Sequence, residues 1–225
     1  MAVCSLKNCY GPNDAGDFEK AKINTEKSEM VIGADIYKKT RGYIWNRIYR
    51  KSAIGGTRFN ESLYFLEDGL FIEEIIGKLG RCAFTDQILY FYRVNGFGTS
   101  NNMSSDKYKQ AIYVCNKQLE NPIIKQDKGL LSKRISVREQ YRIKYMISLS
   151  SEKPENYMAI LKDERNKLIE SKKETWATKS NFLKISQQIM ALPLQIGYVY
   201  LRLLRYLQER RQHKKKQQWI TMFNR

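Results

Sequence analysis

Histidine is almost missing from this 225-residue chain: His213 stands alone, in a basic run far from any cysteine. Cysteine is sparse too, with Cys4, Cys9, Cys82 and Cys115 scattered and no Cys-x-x-Cys pair among them. These absences argue against a zinc site and against a disulfide framework. No signal-peptide pattern opens the sequence, so reduced thiols in a cytoplasmic compartment are expected. No two aspartates are separated by a single residue, and no Gly-rich phosphate loop occurs. Two common ways of holding a diphosphate, carboxylate-bound metal and free amides at a helix N-terminus, are therefore not signalled. No repeat period is visible, which excludes a solenoid.

What the chain does have is apolar mass and positive charge. An apolar share of 42% suffices for a core, and the length fits one large domain or a small domain with an appendage. The net charge of +17 implies an anionic partner or surface. It is concentrated at the end: from Asn181 to Arg225 nine basic residues face Glu209 alone, a net of +8.

Read in order, Ala2 to Leu6 is a short apolar run expected to be a buried strand. Lys7 to Met30, with Gly11-Pro12-Asn13-Asp14, has no clear period and reads as a loop or flap. Val31 to Lys51 turns mixed and aromatic, with helix expected around Trp45 to Arg50. Ile72, Ile75, Ile76 and Leu79 carry the spacing of one buried helical face, and Gly80 stands as its C-terminal stop. Arg81 to Thr85 and Gln87 to Val94 read as two short extended segments. Gly96 to Asn102 is a turn-forming break. Helices are then expected over 104–119, 126–149 and 154–171, with Pro122 and Pro154 near their boundaries.

The acidic doublet Glu67-Asp68 stands where the first of these helices begins. Asp68 lies on the apolar stripe four residues before Ile72, so its carboxylate points toward the interior or a cleft. On the doublet alone, two acids simply favoured by the positive end of a helix dipole would explain it. The neighbourhood adds more: Gly42 to Lys51 (GYIWNRIYRK), then Arg58-Phe59-Asn60, then Leu66-Glu67-Asp68, then Leu89-Tyr90-Phe91-Tyr92-Arg93, in that order. This arrangement resembles the C-terminal half of the catalytic domain of family 2 glycosyltransferases of the GT-A fold, over residues 1 to 103. The resemblance implies an α/β class, a partial GT-A, Rossmann-like half-domain, followed by an α-helical C-terminal region. The domains would be 1–103, the acceptor- and base-bearing half; 104–178, a helical region; and 179–225, a basic tail.

In such an enzyme a base takes the proton from an acceptor hydroxyl as its oxygen attacks the anomeric carbon, with inversion. The resemblance gives that role to Asp68, with Glu67 orienting the acceptor or Asp68 itself; a solvated first-turn acid is the plain alternative for Glu67. Trp45 would form an apolar wall against a sugar face, with Asn46 hydrogen-bonding nearby, although Trp45 also reads as core. Arg93 is a candidate phosphate contact or a surface arginine, while Tyr90 and Tyr92 fall on one strand face and read as structural. The family's Asp-x-Asp would hold Mg or Mn on the donor diphosphate; here no metal is expected on this chain. The nucleotide-sugar-binding half is thus expected outside it, on a separate N-terminal half or in a longer chain. No tryptophan sits in the Gln-x-x-Arg-Trp context of processive synthases, which favours transfer of one sugar per acceptor.

The partners implied are a nucleotide-sugar and a cell-surface glycan or lipid-linked acceptor. The uncharged run from Ile185 to Leu201 is shorter than a spanning helix and is broken by Gln187, Gln188, Pro193, Gln195 and Gly197. After it, Leu201, Leu204 and Leu207 share a face, while Arg202, Arg205, Arg210, Arg211, Lys214, Lys215 and Lys216 supply charge. That combination describes an interfacial helix on an anionic membrane, and a peripheral position on the inner face of the cell membrane. A helix packed on the protein's own core with a solvated charged end is the other reading of the tail. Nucleic acid is disfavoured for want of a binding motif. The contrasting function is a non-catalytic remnant serving as a basic membrane- or nucleic-acid-binding protein.

Overall fold

The computed structural model describes residues 1–9, 28–39, 43–93, 103–175 and 180–223. The chain divides into two compact units, one of Met1–Asn95 with Lys117–Leu130 and one of Gly96–Asn116 with Leu131–Arg225. The first is an α/β unit built on a mixed four-stranded sheet; every element of the second is helical among the described residues.

The sheet comprises β1 (Ala2–Cys9), β2 (Ser28–Val31), β3 (Arg47–Ile48) and β4 (Cys82–Arg93) in the order β2-β4-β1-β3. β1 and β4 run parallel, whereas β3 is antiparallel to β1 and β2 antiparallel to β4. The run Ala2–Leu6 is a strand, as its composition predicts, and it continues to Cys9, but Val3 alone of the run is buried. The expected loop of Lys7 to Met30 is therefore shorter at both ends, since β2 begins at Ser28; its middle, 10–27, lies outside the described residues. The two extended segments expected at 81–94 form one strand. Val3 pairs with Phe84 but Ser5 with Ile88, so β4 carries extra residues over polar Thr85-Asp86-Gln87. A bulge absorbs that interruption without ending the strand.

Helix was expected around Trp45 to Arg50, and the structure corrects this. Trp45 and Asn46 sit in a turn, Arg47–Ile48 is β3, and helix occurs instead at α1 (Ala34–Lys39) and α2 (Lys51–Ile54). The reason is tertiary: Arg47 and Ile48 pair with Val3 and Ala2, while the Trp45 ring stacks on β4. α3 (Glu67–Lys78) forms where the apolar period places it, burying Leu70, Phe71, Ile72, Ile75 and Ile76. Each such side chain is worth about 1.5–3 kcal/mol when fully buried, so this face anchors the helix. Its end does not use Gly80: Leu79 is the extended C-cap residue, and Gly80 has no left-handed conformation.

The segment Lys117–Leu130 belongs with the sheet unit. It contains the end of α4 (Ser105–Leu119), α5 (Pro122–Gln126) and the first turn of α6 (Lys128–Glu152). Asn121 explains its attachment. Its Oδ1 caps α5 by accepting from the Ile123 N–H at 2.9 Å, and its Nδ2 donates to Tyr37 Oη at 2.7 Å and to buried Glu73 Oε1 at 3.0 Å.

In the helical unit, α7 (Tyr157–Glu170), a 3-10 turn (Ser171–Lys173), α8 (Asn181–Ala191) and α9 (Leu194–Phe223) join α6 around one core. That core contains Ile143, Met146, Leu161, Leu168, Leu183, Met190 and Leu201. Buried Gln187 reaches the Leu168 carbonyl at 3.2 Å and Thr175 Oγ1 at 3.1 Å, tying α8 to the preceding elements. The break before α9 falls at Pro193, which cannot continue α8. Among the described residues no helix is long and apolar enough to cross a membrane. The expected break at Gly96–Asn102 lies outside the described residues.

Candidate active site

Asp68 is the second residue of α3, half-buried and two positions after a strained backbone conformation. Leu66 is the N-cap residue in the left-handed region, at φ 61°, and offers no side-chain cap. A non-glycine residue held there costs on the order of 1–3 kcal/mol and persists only where the surroundings enforce it. The carboxylate is positioned by its own helix: the Gly69 N–H donates to Asp68 Oδ1 at 2.7 Å. Burial pushes the Asp68 carboxyl above the ordinary aspartate value against the pull of that N–H; Glu67 also raises it, and the Arg47 charge lowers it. Glu67 stands beside it, half-buried, as the first residue of α3.

Arg47 was not singled out by the sequence, yet it is the most unusual side chain near Asp68. It is only 9% exposed. Its Nε donates to the Tyr43 carbonyl at 2.5 Å, Nη1 approaches Met1 Sδ at 3.6 Å, and Nη2 is buried with no partner among the described residues. Burial pulls its guanidinium below the ordinary arginine value, opposed by Tyr49, Cys82 and Asp68. The Tyr49 hydroxyl is likewise buried and unpartnered. Burial raises the Tyr49 pKa, while Arg47 lowers it and Asp68 raises it. Arg47 and Asp68 thus feel each other's charge but form no ion pair. An unpartnered guanidinium nitrogen, an unpartnered hydroxyl and a half-buried carboxyl share one charged neighbourhood; the two donors are sealed from solvent, and the carboxyl is the group able to accept from a ligand hydroxyl. The only sequence signal for Arg47 was its place in the WNRIYR segment.

Trp45 stacks on three tyrosines: Tyr43 at 4.7 Å, Tyr90 at 4.5 Å and Tyr92 at 4.8 Å between ring centroids. Tyr90 and Tyr92 share a strand face, as alternation requires, and Trp45 covers both. The platform keeps an open side, since Tyr43 and Tyr92 remain exposed. Asn46 is buried and spends its amide on the sheet: Nδ2 donates to the Cys4 carbonyl at 2.8 Å, and its own carbonyl accepts from the Cys4 N–H at 3.2 Å. Its Oδ1 has no partner among the described residues. Arg93 closes β4, but its side chain lies outside the described residues. Arg58-Phe59 lies alongside α3, with Phe59 stacked on Phe71 at 4.2 Å, and Lys78 Nζ donates to buried Thr57 Oγ1 at 2.7 Å.

Among the described residues, no three His, Cys, Asp or Glu side chains converge as a metal site. The nearest acids, Glu67 and Asp68, share their surroundings with the Arg47 cation, so the residues described do not fit a divalent ion there. In the tail, Arg205 pairs with Glu209 at 2.8 Å, Arg210 lies over the Tyr206 ring at 5.4 Å, and Arg202, Arg211 and Lys214 are exposed. The side chains of Lys215 and Lys216 lie outside the described residues. Leu201, expected on the membrane-facing side, is in the core instead, with Leu204 packed against it.

No family model, curated protein or solved structure matches this chain.

Proposed function

We propose that this chain is the acceptor- and base-bearing part of an inverting glycosyltransferase, with Asp68 as the general base. The observation that carries the reading is the half-buried Asp68 carboxylate, raised by burial and set at a helix start beside the unsatisfied Arg47. A carboxyl whose pKa is raised is, in its ionised form, the better proton acceptor. The Gly69 N–H fixes one oxygen, leaving the other to meet an acceptor hydroxyl. As that hydroxyl oxygen bonds to the anomeric carbon, its proton passes to Asp68 and the bond from carbon to the nucleotide's phosphate oxygen breaks. The leaving diphosphate takes the electron pair. Mg or Mn, where the complete enzyme binds it, would offset that charge; the carboxylates to hold it belong to a donor-binding half.

The Trp45 platform, with its exposed tyrosine edges, suits the apolar face of a sugar ring. The exposed cations of the tail suit an anionic membrane, so the acceptor is a surface glycan or a lipid-linked sugar reached from the cytoplasmic side. The reading is tested by joining the chain to a donor-binding half and assaying transfer from labelled nucleotide-sugars to a lipid extract. Transfer by the wild type that Asp68→Asn abolishes supports it. No transfer with any donor removes it, and transfer retained by the Asn variant removes Asp68 as the base.

A further inference from the structure

α9 is apolar on two opposite sides. At 3.6 residues per turn, Leu194, Gly197, Leu201 and Leu204 fall on one side of the helix. These residues face the unit's own core: Leu201 is buried, Leu204 packs against it, and Leu194, Gly197 and Leu201 line a groove with Met158, Leu161 and Met190. Roughly half a turn away stand Ile196, Val199, Leu203 and Tyr206, with Leu207 between the two sides. All five are exposed, Val199 at 67% and Leu203 at 52%. The same line continues into Arg210 and Lys214, both exposed, with Arg202 and Arg211 at its margins.

We propose that this outward stripe, Ile196-Val199-Leu203-Tyr206, lies in the headgroup and acyl boundary of an anionic membrane, with α9 along the surface. The proposal rests on the membrane attachment named above and moves it to the side of the helix opposite Leu201. A helix with two apolar faces needs a second apolar surface to cover the one its own core leaves bare. The charge pattern chooses the occupant. The one acid of the tail, Glu209, is engaged by Arg205, so the stripe is bordered by uncompensated cations. A second copy would set those cations against themselves, and a nucleic acid would leave the apolar stripe uncovered. An anionic bilayer satisfies both, apolar side chains entering the acyl boundary and Arg and Lys remaining among the headgroups. Arg210, folded back over the Tyr206 ring, already holds a cation above an interfacial aromatic.

The experiment is co-sedimentation of the 225-residue chain with vesicles of phosphatidylcholine alone and of phosphatidylcholine mixed with phosphatidylserine. Two double variants accompany it, Val199→Ser with Leu203→Ser, and Arg210→Gln with Lys214→Gln. All four side chains are exposed, so circular dichroism melts should match the wild type. Wild-type binding that requires phosphatidylserine, and that falls about tenfold or more in each double variant, is the expected result. Binding insensitive to phosphatidylserine, or unchanged by both variants, overturns the proposal. So does a wild type that pellets with neither vesicle, including one that instead forms a dimer dissolved by the serine variant. None of these outcomes depends on sugar transfer, so a failure here leaves the glycosyltransferase reading standing, and the reverse.

Discussion

Each of the two units buries an arginine, and the two are treated oppositely. Arg142, in the helical unit, is 5% exposed and ion-paired through two of its nitrogens. Its Nε donates to Glu139 at 2.7 Å and its Nη1 to Glu164; Arg138 completes Glu139 at 2.6 Å and Lys167 completes Glu164 at 3.1 Å. Arg47, in the sheet unit, is nearly as buried but keeps one N–H without a partner and stops short of an ion pair with Asp68. A closed network of buried charges holds helices in register and has nothing left to offer a ligand. An open one costs stability, because the spare donor is shut away from water as well. On that difference the helical unit reads as scaffold, and the proposed site falls in the sheet unit.

The contrast can be broken most directly at Asp68. Asp68→Asn in the complete enzyme is expected to lower transfer by about 10²- to 10⁴-fold, the usual loss for a positioned base. The amide can still accept from the Gly69 N–H, so the denaturation midpoint should stay close to the wild type. Turnover within a fewfold of wild type would return the sheet unit to a structural role. At Arg142 the roles reverse. Arg142→Met leaves Glu139, which has no exposed surface, with Arg138 as its remaining partner, and should cost about 3 kcal/mol in a urea titration, the low end for breaking a buried pair. A loss under about 1 kcal/mol would mean that the network does not hold the helices. The matching change in the sheet unit, Arg47→Met, breaks no ion pair and relieves an unpartnered donor. Its stability should shift by about 1 kcal/mol at most, while transfer suffers.

The smallest expected effect is a change in pH dependence. The Asp68 pKa is raised by burial, so the folded protein binds this proton more tightly than the unfolded chain does. The stability it contributes is fully present below the unfolded aspartate pKa and is lost as pH rises through the folded pKa. Asp68→Asn should therefore flatten the stability profile across that window, and Arg47→Met should raise the Asp68 pKa further by removing the charge that opposes burial. Urea titrations across that window read the first, and a carbon-13 NMR titration of the Asp68 carboxyl reads the second. An unchanged midpoint in the Arg47 variant would show that the two charges are not coupled.

Much of the frame was legible because it rests on local periodicity. Ile72, Ile75 and Ile76 announced α3 and the burial of its face, and Asp68 could be placed at its start by counting. α4, α6 and α7 followed from 3.6-residue spacing and prolines, whereas α5 and α8 were not expected. None of this needs a partner in space, since one face of an element is fixed by side-chain order alone.

What the chain did not reveal one residue at a time are the contacts between distant segments. The WNRIYR segment has no periodicity that predicts a strand; pairing of Arg47 and Ile48 with Val3 and Ala2 makes a two-residue strand at its centre, while the Trp45 ring settles on Tyr90 and Tyr92. Thr85-Asp86-Gln87 looks like a gap between strands, and only the register with β1 turns it into a bulge. Leu201 and Val199 are equally apolar in sequence, but packing against Met146 and Leu168 draws one inward and leaves the other on the surface. Composition and spacing therefore determined which residues are apolar, basic or acidic, and where the long helices run. Which of two apolar faces is buried, and which buried arginine is left unsatisfied, depends on what lies opposite in space. Only the tertiary structure decided that.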